Sequence, residues 1–193
     1  MRIMVKNILL VGIVIPLCFA YDIVGADQLN SLHGTMIVET QKGAGTPFEV
    51  WAKGNKMRTE VRVDGQKIVS LQLGDVLYTY LQGDASGEKQ SLGVGLASMG
   101  LIEQIKRVKK HGIKSDSVEV TGVRYDKYRY DVSPEEWVIA YLEPETSLPG
   151  AWISGLLIGG NWSIMKIFYR NLMANVEIPD EYFRLPSDIH FAE

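Results

Sequence analysis

The sequence has few of the side chains from which reactive sites are most often built. Its 193 residues include one cysteine, Cys18, and three histidines. A single cysteine excludes an intramolecular disulfide framework and a metal site made of several thiolates. The histidines stand at positions 33, 111 and 190 and form no i, i+4 pair, so the zinc-protease pattern is absent. We therefore predict neither a metal site nor a cofactor.

An excess of charge of one sign is also missing. Lys and Arg number 20 and Asp and Glu number 23, which gives a formal net charge of -3. That balance excludes a nucleic-acid binder that works through phosphate charge. Hydrophobic residues make up 46% of the chain and charged residues 22%, the composition of an ordinary folded domain. We predict a monomer without a nucleic-acid partner.

Catalytic motifs are absent as well. No serine stands in a Gly-x-Ser-x-Gly elbow, and the sequence GLAS at residues 95–98 does not supply one. The glycines at 93 and 95 lack the strand and helix context of a nucleotide-binding loop. Glu135 and Glu136 follow Pro134 in a turn and are interpreted as solvated carboxylates. We predict that the protein is not an enzyme.

The first 26 residues have the layout of a secretory signal peptide. Arg2 and Lys6 precede an apolar run at residues 8–20, and Val24 and Ala26 form a small-x-small exit. The run is shorter than the roughly 20 residues that a membrane-spanning helix needs. Leu17 precedes Cys18, where a lipoprotein signal requires a small residue. We predict cleavage after Ala26 without lipid attachment, and a single domain over residues 27–193.

The rest of the chain predicts a mainly β fold. Residues 56–63 alternate strictly, the Asp64-Gly65 pair predicts a hairpin, and residues 67–73 and 76–81 predict the strands that follow. The sequence predicts further strands at residues 35–40, 48–52, 118–122, 123–132, 136–142 and 162–176. Residues 27–33 offer at most two turns of helix.

One central segment has helical rather than strand periodicity. Leu101, Ile102, Ile105 and Val108 recur at helical spacing, which predicts a helix over 99–111. We expect Ser98 to cap its start and Gly112 to end it in a left-handed conformation. The stripe fits either an ordinary core helix or a lid over a cavity.

Residues 153–160, ISGLLIGG, are apolar and rich in glycine. The pattern does not distinguish a short strand from a flexible loop or a flap that touches a membrane. All three interpretations stay open at the level of the sequence.

Several motifs, in order, resemble the LolA-like superfamily of exported proteins. These are KGNKMR at 53–58, Asp64-Gly65, GDVLY at 74–78, EPETSLP at 143–149 and NVEIPDEYFRLP at 175–186. The resemblance implies a curved antiparallel sheet that forms a half-open barrel around an apolar cavity, with a central lid helix. It implies that the protein is located in the periplasm of a Gram-negative-type bacterium. It also implies lipid or lipoprotein acyl chains as ligands and is compatible with a membrane-bound delivery partner.

The resemblance also assigns candidate residues. Arg58 falls on the position whose arginine latches the lid in the lipoprotein carrier, so we expect it at the concave face or its rim. Strand alternation alone instead groups Arg58 with Lys56, Glu60 and Arg62 on a solvent face. The full set of predicted cavity and lid residues is Arg58, Met57, Val61, Leu71, Tyr78, Tyr80, Leu101, Ile102, Ile105 and Val108. The alternative function is a non-catalytic envelope module whose core is simply filled.

Overall fold

The computed structural model describes residues 28–39, 45–93 and 95–192. The predicted signal peptide and its cleavage site lie outside the described residues. Twelve strands and one α-helix follow in chain order. They are β1 Ser31–Glu39, β2 Pro47–Lys53, β3 Lys56–Val63, β4 Gln66–Leu73, β5 Val76–Leu81, β6 Ser86–Ser91, α1 Leu101–His111, β7 Ile113–Val120, β8 Val123–Ser133, β9 Glu136–Leu142, β10 Pro149–Ile158, β11 Asn161–Ala174 and β12 His190–Ala192.

All twelve strands form one sheet in the order β12-β6-β5-β4-β3-β2-β1-β11-β10-β9-β8-β7. Every neighbouring pair is antiparallel except β12 and β6. The sheet consists of two meanders, β1–β6 and β7–β11, which meet where β1 pairs with β11. Its edges β7 and β12 do not pair with each other among the described residues, so the barrel stays half open, as predicted.

The position of α1 shows how strongly the sheet curves. The helix contacts both β2 and β8, which stand five positions apart in the sheet. Adjacent strands are about 4.8 Å apart, so these two strands would be roughly 24 Å apart in a flat sheet. A helix with its side chains is only about 10–12 Å wide. The sheet must therefore wrap around α1, and the face that α1 covers is the concave one.

Strands with clear alternation have the bounds that the sequence predicts. β3, β5 and β9 begin and end where expected, β4 and β8 differ by one residue at one end, and β2 is longer by one residue at each end. The prediction of a short helix over 27–33 is wrong for residues 31–33, which belong to β1. Pairing with β2 and β11 imposes the extended conformation there.

Two further differences concern polar strands. The sequence predicts no strand at β6, and it predicts only the last part of β7. Both segments are mostly exposed and lack an apolar face. β6 is extended because β5 and β12 pair with it, and β7 because β8 does.

The helix is confirmed, but its predicted caps are wrong. Its N-cap is Gly100, without a side-chain cap, whereas the Ser98 hydroxyl donates to the carbonyl of Gly95. Gly112 has an extended backbone with φ -74° rather than a left-handed one. A Cβ at Gly112 would lie 2.5 Å from the carbonyl oxygen of Val108. Close approach of the backbone, not a positive φ, therefore favours glycine there.

The open question about residues 153–160 has a structural answer. Residues up to Ile158 belong to β10, and Gly159 and Gly160 form the turn into β11 with φ of 58° and 81°. The segment is thus the tip of a regular hairpin.

A buried carboxylate joins edge strand β7 to the sheet. The Asp126 side chain accepts hydrogen bonds from the amino group of Lys114 and from the hydroxyl of Ser117 at 2.7 Å. The hydrogen bond from Lys114 is the main cause that holds the pKa of Asp126 below its ordinary value. The ionised carboxylate therefore stabilises the fold above the pKa of the unfolded chain, and this stabilisation is lost as the pH falls through the lower folded pKa.

We expect Asp126→Asn to lower the free energy of unfolding at pH 7 by about 1–3 kcal/mol, since a buried charge-assisted hydrogen bond is lost. The difference from the wild type should shrink as the pH falls below about 4. Urea denaturation between pH 7 and pH 3 measures both effects. Asp131→Asn, in the exposed pair with Arg129, should cost less than about 0.5 kcal/mol. Equal losses in the two variants would contradict this role of Asp126.

Candidate functional site: the trough beneath α1

The concave face forms an apolar trough. Buried side chains from strands of both meanders line it and form the main hydrophobic core. The sheet residues of this core are Leu32, Val50, Ala52, Tyr128, Val138, Ala140, Leu142, Trp152 and Tyr169. They include three large aromatic rings, from β8, β10 and β11. Burial raises the pKa of the Tyr169 hydroxyl, so this group stays neutral. The sheet residues of this core are therefore uncharged, and the charged Asp126, on the same face of β8, is paired with Lys114.

The helix closes the trough with its apolar stripe. Leu101, Ile102, Ile105 and Val108 are all buried against the sheet residues. Glu103, Arg107 and Lys110 lie on the solvent side, beside a depression of about 490 Å³ on that outer surface of the helix. The trough itself is filled by protein side chains in this structure.

The segment that leads into α1 is held by polar contacts. The buried amide of Gln72 donates to the carbonyl oxygens of Gly74, Ala97 and Met99, at 2.9, 3.0 and 3.2 Å. Leu96 packs in the main core, and its backbone N–H donates to the carboxylate of Glu136. Burial raises the pKa of Glu136. Residues 95–100 are thus fixed to both β4 and β9.

Two side chains connect the helix itself to the rim. The Arg107 guanidinium donates to the hydroxyl of Tyr130 at 3.0 Å. The Lys109 amino group donates to the hydroxyl of Ser147, which is fully buried. These polar contacts surround the apolar stripe without entering it, so the helix would leave the trough by breaking only a few hydrogen bonds beyond its apolar contacts.

The predicted site residues do not all meet in the trough. The four helix residues lie there, and Met57 packs against the same core. Val61 is buried and shares the concave face of β3 with Met57. Arg58, Leu71, Tyr78 and Tyr80 lie on the opposite, outer face, because cross-strand pairing aligns Arg58 with Leu71 and Leu71 with Tyr78. The alternation of β3 therefore places Arg58 correctly, and the expectation drawn from the resemblance does not.

On the outer face, Arg58 contacts a segment that we name the C-terminal strap, residues 176–192. Its guanidinium donates to the carbonyl oxygen of Tyr182 at 3.0 Å and lies over the ring of that residue. Phe183 packs beside Trp51 and Leu71 in a second small core. Further along, Phe191 packs edge-on against Tyr78 and Tyr80. The described contacts of Arg58 are with the strap and its own sheet, not with α1.

A charged network fixes the Arg58 side chain. Glu60 accepts hydrogen bonds from Arg58 at 2.7 Å and from Lys67 at 2.8 Å, and the side chains of Arg58 and Glu60 are only 15% and 14% exposed. Burial alone would raise the pKa of Glu60, but the hydrogen bonds from Lys67 and Arg58 outweigh it and hold the pKa below its ordinary value. Glu60 therefore remains ionised and orients Arg58 toward the strap.

The sequence prediction missed the second-meander half of the trough. Val138, Ala140 and Leu142 alternate along β9, and Tyr128 and Tyr130 alternate along β8. That alternation was the available signal, but it does not say which face of the sheet the helix covers. Over the described residues, no three His, Cys, Asp or Glu side chains are grouped so as to hold a metal ion. No helix of that part of the chain is long and apolar enough to cross a membrane.

Comparison with known proteins gives similarity of fold only. No protein-family model and no curated protein matches the sequence. An uncharacterized conserved protein from Thermus thermophilus matches with a TM-score of 0.57 and 11% identity, over 89% of this chain and 94% of that one. At this identity the match concerns the fold and not the activity.

Two further structures match more loosely, with TM-scores below 0.5. The MucA/MucB complex of Pseudomonas aeruginosa matches with a TM-score of 0.41 and 14% identity, over 86% of this chain and 59% of that one. A LolA superfamily protein from Nitrosomonas europaea matches with a TM-score of 0.39 and 11% identity, over 84% and 93%.

We expect Arg58→Leu to loosen the strap and leave the helix unchanged. The variant removes the hydrogen bond to Tyr182 and leaves Glu60 with one fewer cation, so the free energy of unfolding should fall by about 1–3 kcal/mol. Hydrogen exchange should speed up over residues 176–186 and stay the same over α1. Arg62→Leu, an exposed arginine on the same strand and face, is the matched control. Faster hydrogen exchange in α1 alone would contradict this expectation and would support a contact between Arg58 and the lid helix, as the resemblance implies.

Proposed function

We propose that this is an exported, non-catalytic binding protein that holds a lipid or lipoprotein acyl chain in the trough, with α1 as the lid. The observation that carries the proposal is that the apolar stripe of one amphipathic helix covers an apolar trough that spans both meanders. The part of the chain that the structure describes offers no second α-helix for this task. If α1 moves aside, the exposed surface suits an apolar ligand such as an alkyl chain.

The energetics of exchange are consistent with an acyl ligand. Burial of an apolar side chain is worth about 1.5–3 kcal/mol, so the four stripe residues contribute roughly 6–12 kcal/mol. Each buried methylene contributes about 0.8 kcal/mol. An alkyl chain with about 8 to 15 methylene groups therefore replaces what the helix loses. The upper end of that range overlaps the acyl chains of membrane lipids and lipoproteins.

The helix is also suited to leave as a unit. It has 11 residues and no side-chain N-cap, and isolated helices shorter than about 12–15 residues are marginal in water. Its stability therefore depends on the trough. Residues 95–100 before it contain neither helix nor strand. Displacement of α1 would leave both meanders intact, because their strands pair with one another.

The cellular setting follows from the sequence. The signal-peptide layout of residues 1–26 supports export, and the resemblance to the LolA-like superfamily supports the periplasm of a Gram-negative-type bacterium. Carriage of a lipoprotein between membranes would need a membrane-bound delivery partner. The core residues that line the trough are apolar, which supports a binding role.

A second candidate function is a structural or interaction module of the envelope whose core is permanently filled. The observation in its favour is the complete burial of the helix stripe. The two candidates differ in one respect, which is whether α1 leaves the trough under native conditions.

A crosslink across the rim tests this difference. Arg107 and Tyr130 are in contact, so Arg107→Cys with Tyr130→Cys, in a Cys18→Ser background, allows a short thiol crosslinker to fix α1. We expect the crosslinked protein to lose uptake of a fluorescent fatty acid by about tenfold or more, because the trough cannot open. Fluorescence titration measures the uptake.

The two single-cysteine variants, treated with the same reagent, are the controls and should bind like the uncrosslinked protein. Equal uptake by crosslinked and uncrosslinked double variants would show that the lid does not gate the trough. Absence of uptake by the wild type would favour the filled-core module.

A further inference from the structure

The hairpin β10–β11 exposes apolar side chains on both faces of its tip, residues 154–165. Leu156, Ile158 and Met165 are on the concave face, at 46%, 60% and 42% exposure. Trp162 and Ile164 are on the outer face, at 43% and 39%. The opposite faces follow from the register, in which Ser154 pairs with Met165 and Leu157 pairs with Trp162. Elsewhere in the sheet α1 and the C-terminal strap cover most apolar residues, although some, such as Ile113 and Met173, are exposed as well.

The charge pattern around the tip is ordered along the strands. Residues 146–165 contain no Asp, Glu, Lys or Arg. On the outer face, the first row from the turn is Leu157 and Trp162, and the second contains Asp131, Trp137, Gly155 and Ile164.

The third row of that face carries charge of both signs. It runs Arg129, Ile139, Ile153, Lys166 and Glu39. Arg129 pairs with Asp131 at 2.8 Å and Lys166 with Glu39 at 3.9 Å. An apolar tip is therefore followed, at a fixed distance along the strands, by a band of charged residues.

The aromatic side chains of this face are held in place. Trp137 lies across Gly155, where a Cβ would be 2.3 Å from the ring. Its ring contacts Trp162 with centroids 6.2 Å apart, and the guanidinium of Arg129 lies over it at 5.6 Å. A rigid series of cation, indole and indole thus connects the base of the hairpin to its tip. Tryptophan prefers the boundary between lipid headgroups and acyl chains.

We propose that this tip inserts into the surface of a lipid bilayer. A protein partner with a flat surface would cover one face of the hairpin, whereas lipid surrounds a protruding tip from both sides. The ion pairs of the third row would lie in the charged headgroup layer. The proposal does not depend on acyl-chain binding in the trough.

The dimensions of the hairpin fit this role. Interfacial segments bury their apolar side about 5–10 Å into the headgroup and acyl boundary. At about 3.3 Å per residue, that depth takes in two to three residues of each strand, which are those around Leu157 and Trp162. Lys166 then lies at headgroup level. Glu135, in the adjacent β8–β9 turn, opposes binding, since its backbone carbonyl accepts from Leu157 and places it beside the tip.

Vesicle flotation tests the proposal with the full chain. Vesicles of phosphatidylethanolamine and phosphatidylglycerol in equal parts should carry the wild type with them. Ile158→Asp should lower partitioning about tenfold, because a charge at the tip resists insertion. Glu135→Gln should raise partitioning on these anionic vesicles, because it removes a negative charge beside the tip.

The matched control is Ile113→Asp. Ile113 is 72% exposed on edge strand β7, outside the hairpin, so its substitution should leave partitioning unchanged. The chain before residue 28 is the same in every variant, so differences report the hairpin. Brominated lipid should quench the emission of Trp162, obtained by subtracting the signal of Trp162→Phe.

Three results would overturn the proposal. The first is equal partitioning of the wild type and Ile158→Asp. The second is no quenching of Trp162 by brominated lipid while the protein is on the vesicle. The third is a dimer without vesicles that Ile158→Asp dissociates, which would show that a second copy of the chain covers the tip.

Discussion

The structure depends on one constraint, which is that the concave face of an open twelve-stranded sheet cannot be left to water. The residues that line it are apolar and come from both meanders. The curvature that creates the trough also brings β2 and β8 within reach of a single helix. Burial of the four stripe residues of α1 therefore holds the two halves of the sheet at their observed curvature. In our proposal, an acyl chain would fill the same space.

The two faces of the sheet are covered by different parts of the chain. The helix from the middle of the sequence covers the concave face, and the C-terminal strap covers the outer face of β2 to β6. The strap is attached by the ionic network of Arg58, Glu60 and Lys67 and by apolar packing of Phe183 and Phe191. No described segment covers the outer face of β9 to β11. The outer face of the first meander is thus covered by the chain itself, whereas the second meander carries the hairpin that we propose to contact a membrane.

The sequence predicted strand bounds correctly where the residues of a single strand carry the hydrophobic alternation. Alternation in β3, β5 and β9 reflects one buried face per strand, so the bounds of these strands follow from the residues themselves. β6 and the start of β7 could not be found in this way, because their polar residues are extended only through pairing with neighbouring strands. The caps of α1 were missed because packing of Gly100 and Gly112 against other backbone, rather than a capping side chain, determines where the helix ends.

The site was predicted in part for the same reason. The helical period of α1 identifies its four trough residues, and the alternation of β3 assigns Met57 and Val61 to one face and Arg58 to the other. Which face is concave depends on the curvature of the whole sheet, and no single strand encodes that. The resemblance to a carrier predicted the wrong face of the sheet for Arg58. The alternation of side chains along β3 predicted the correct one.

The order of the strands has a consequence for how the molecule reaches its folded state. Each meander is built from hairpins between consecutive strands, so its contacts are local in sequence and can form early. The pairing of β1 with β11 joins Leu32 to Ala174, and this closure carries a much larger loop entropy. The chain between the meanders runs from β6 through α1 to β7, so the helix also limits how far the halves can separate before that closure. A segment that serves the finished protein as a lid would serve the folding chain as the tether that brings its two halves together.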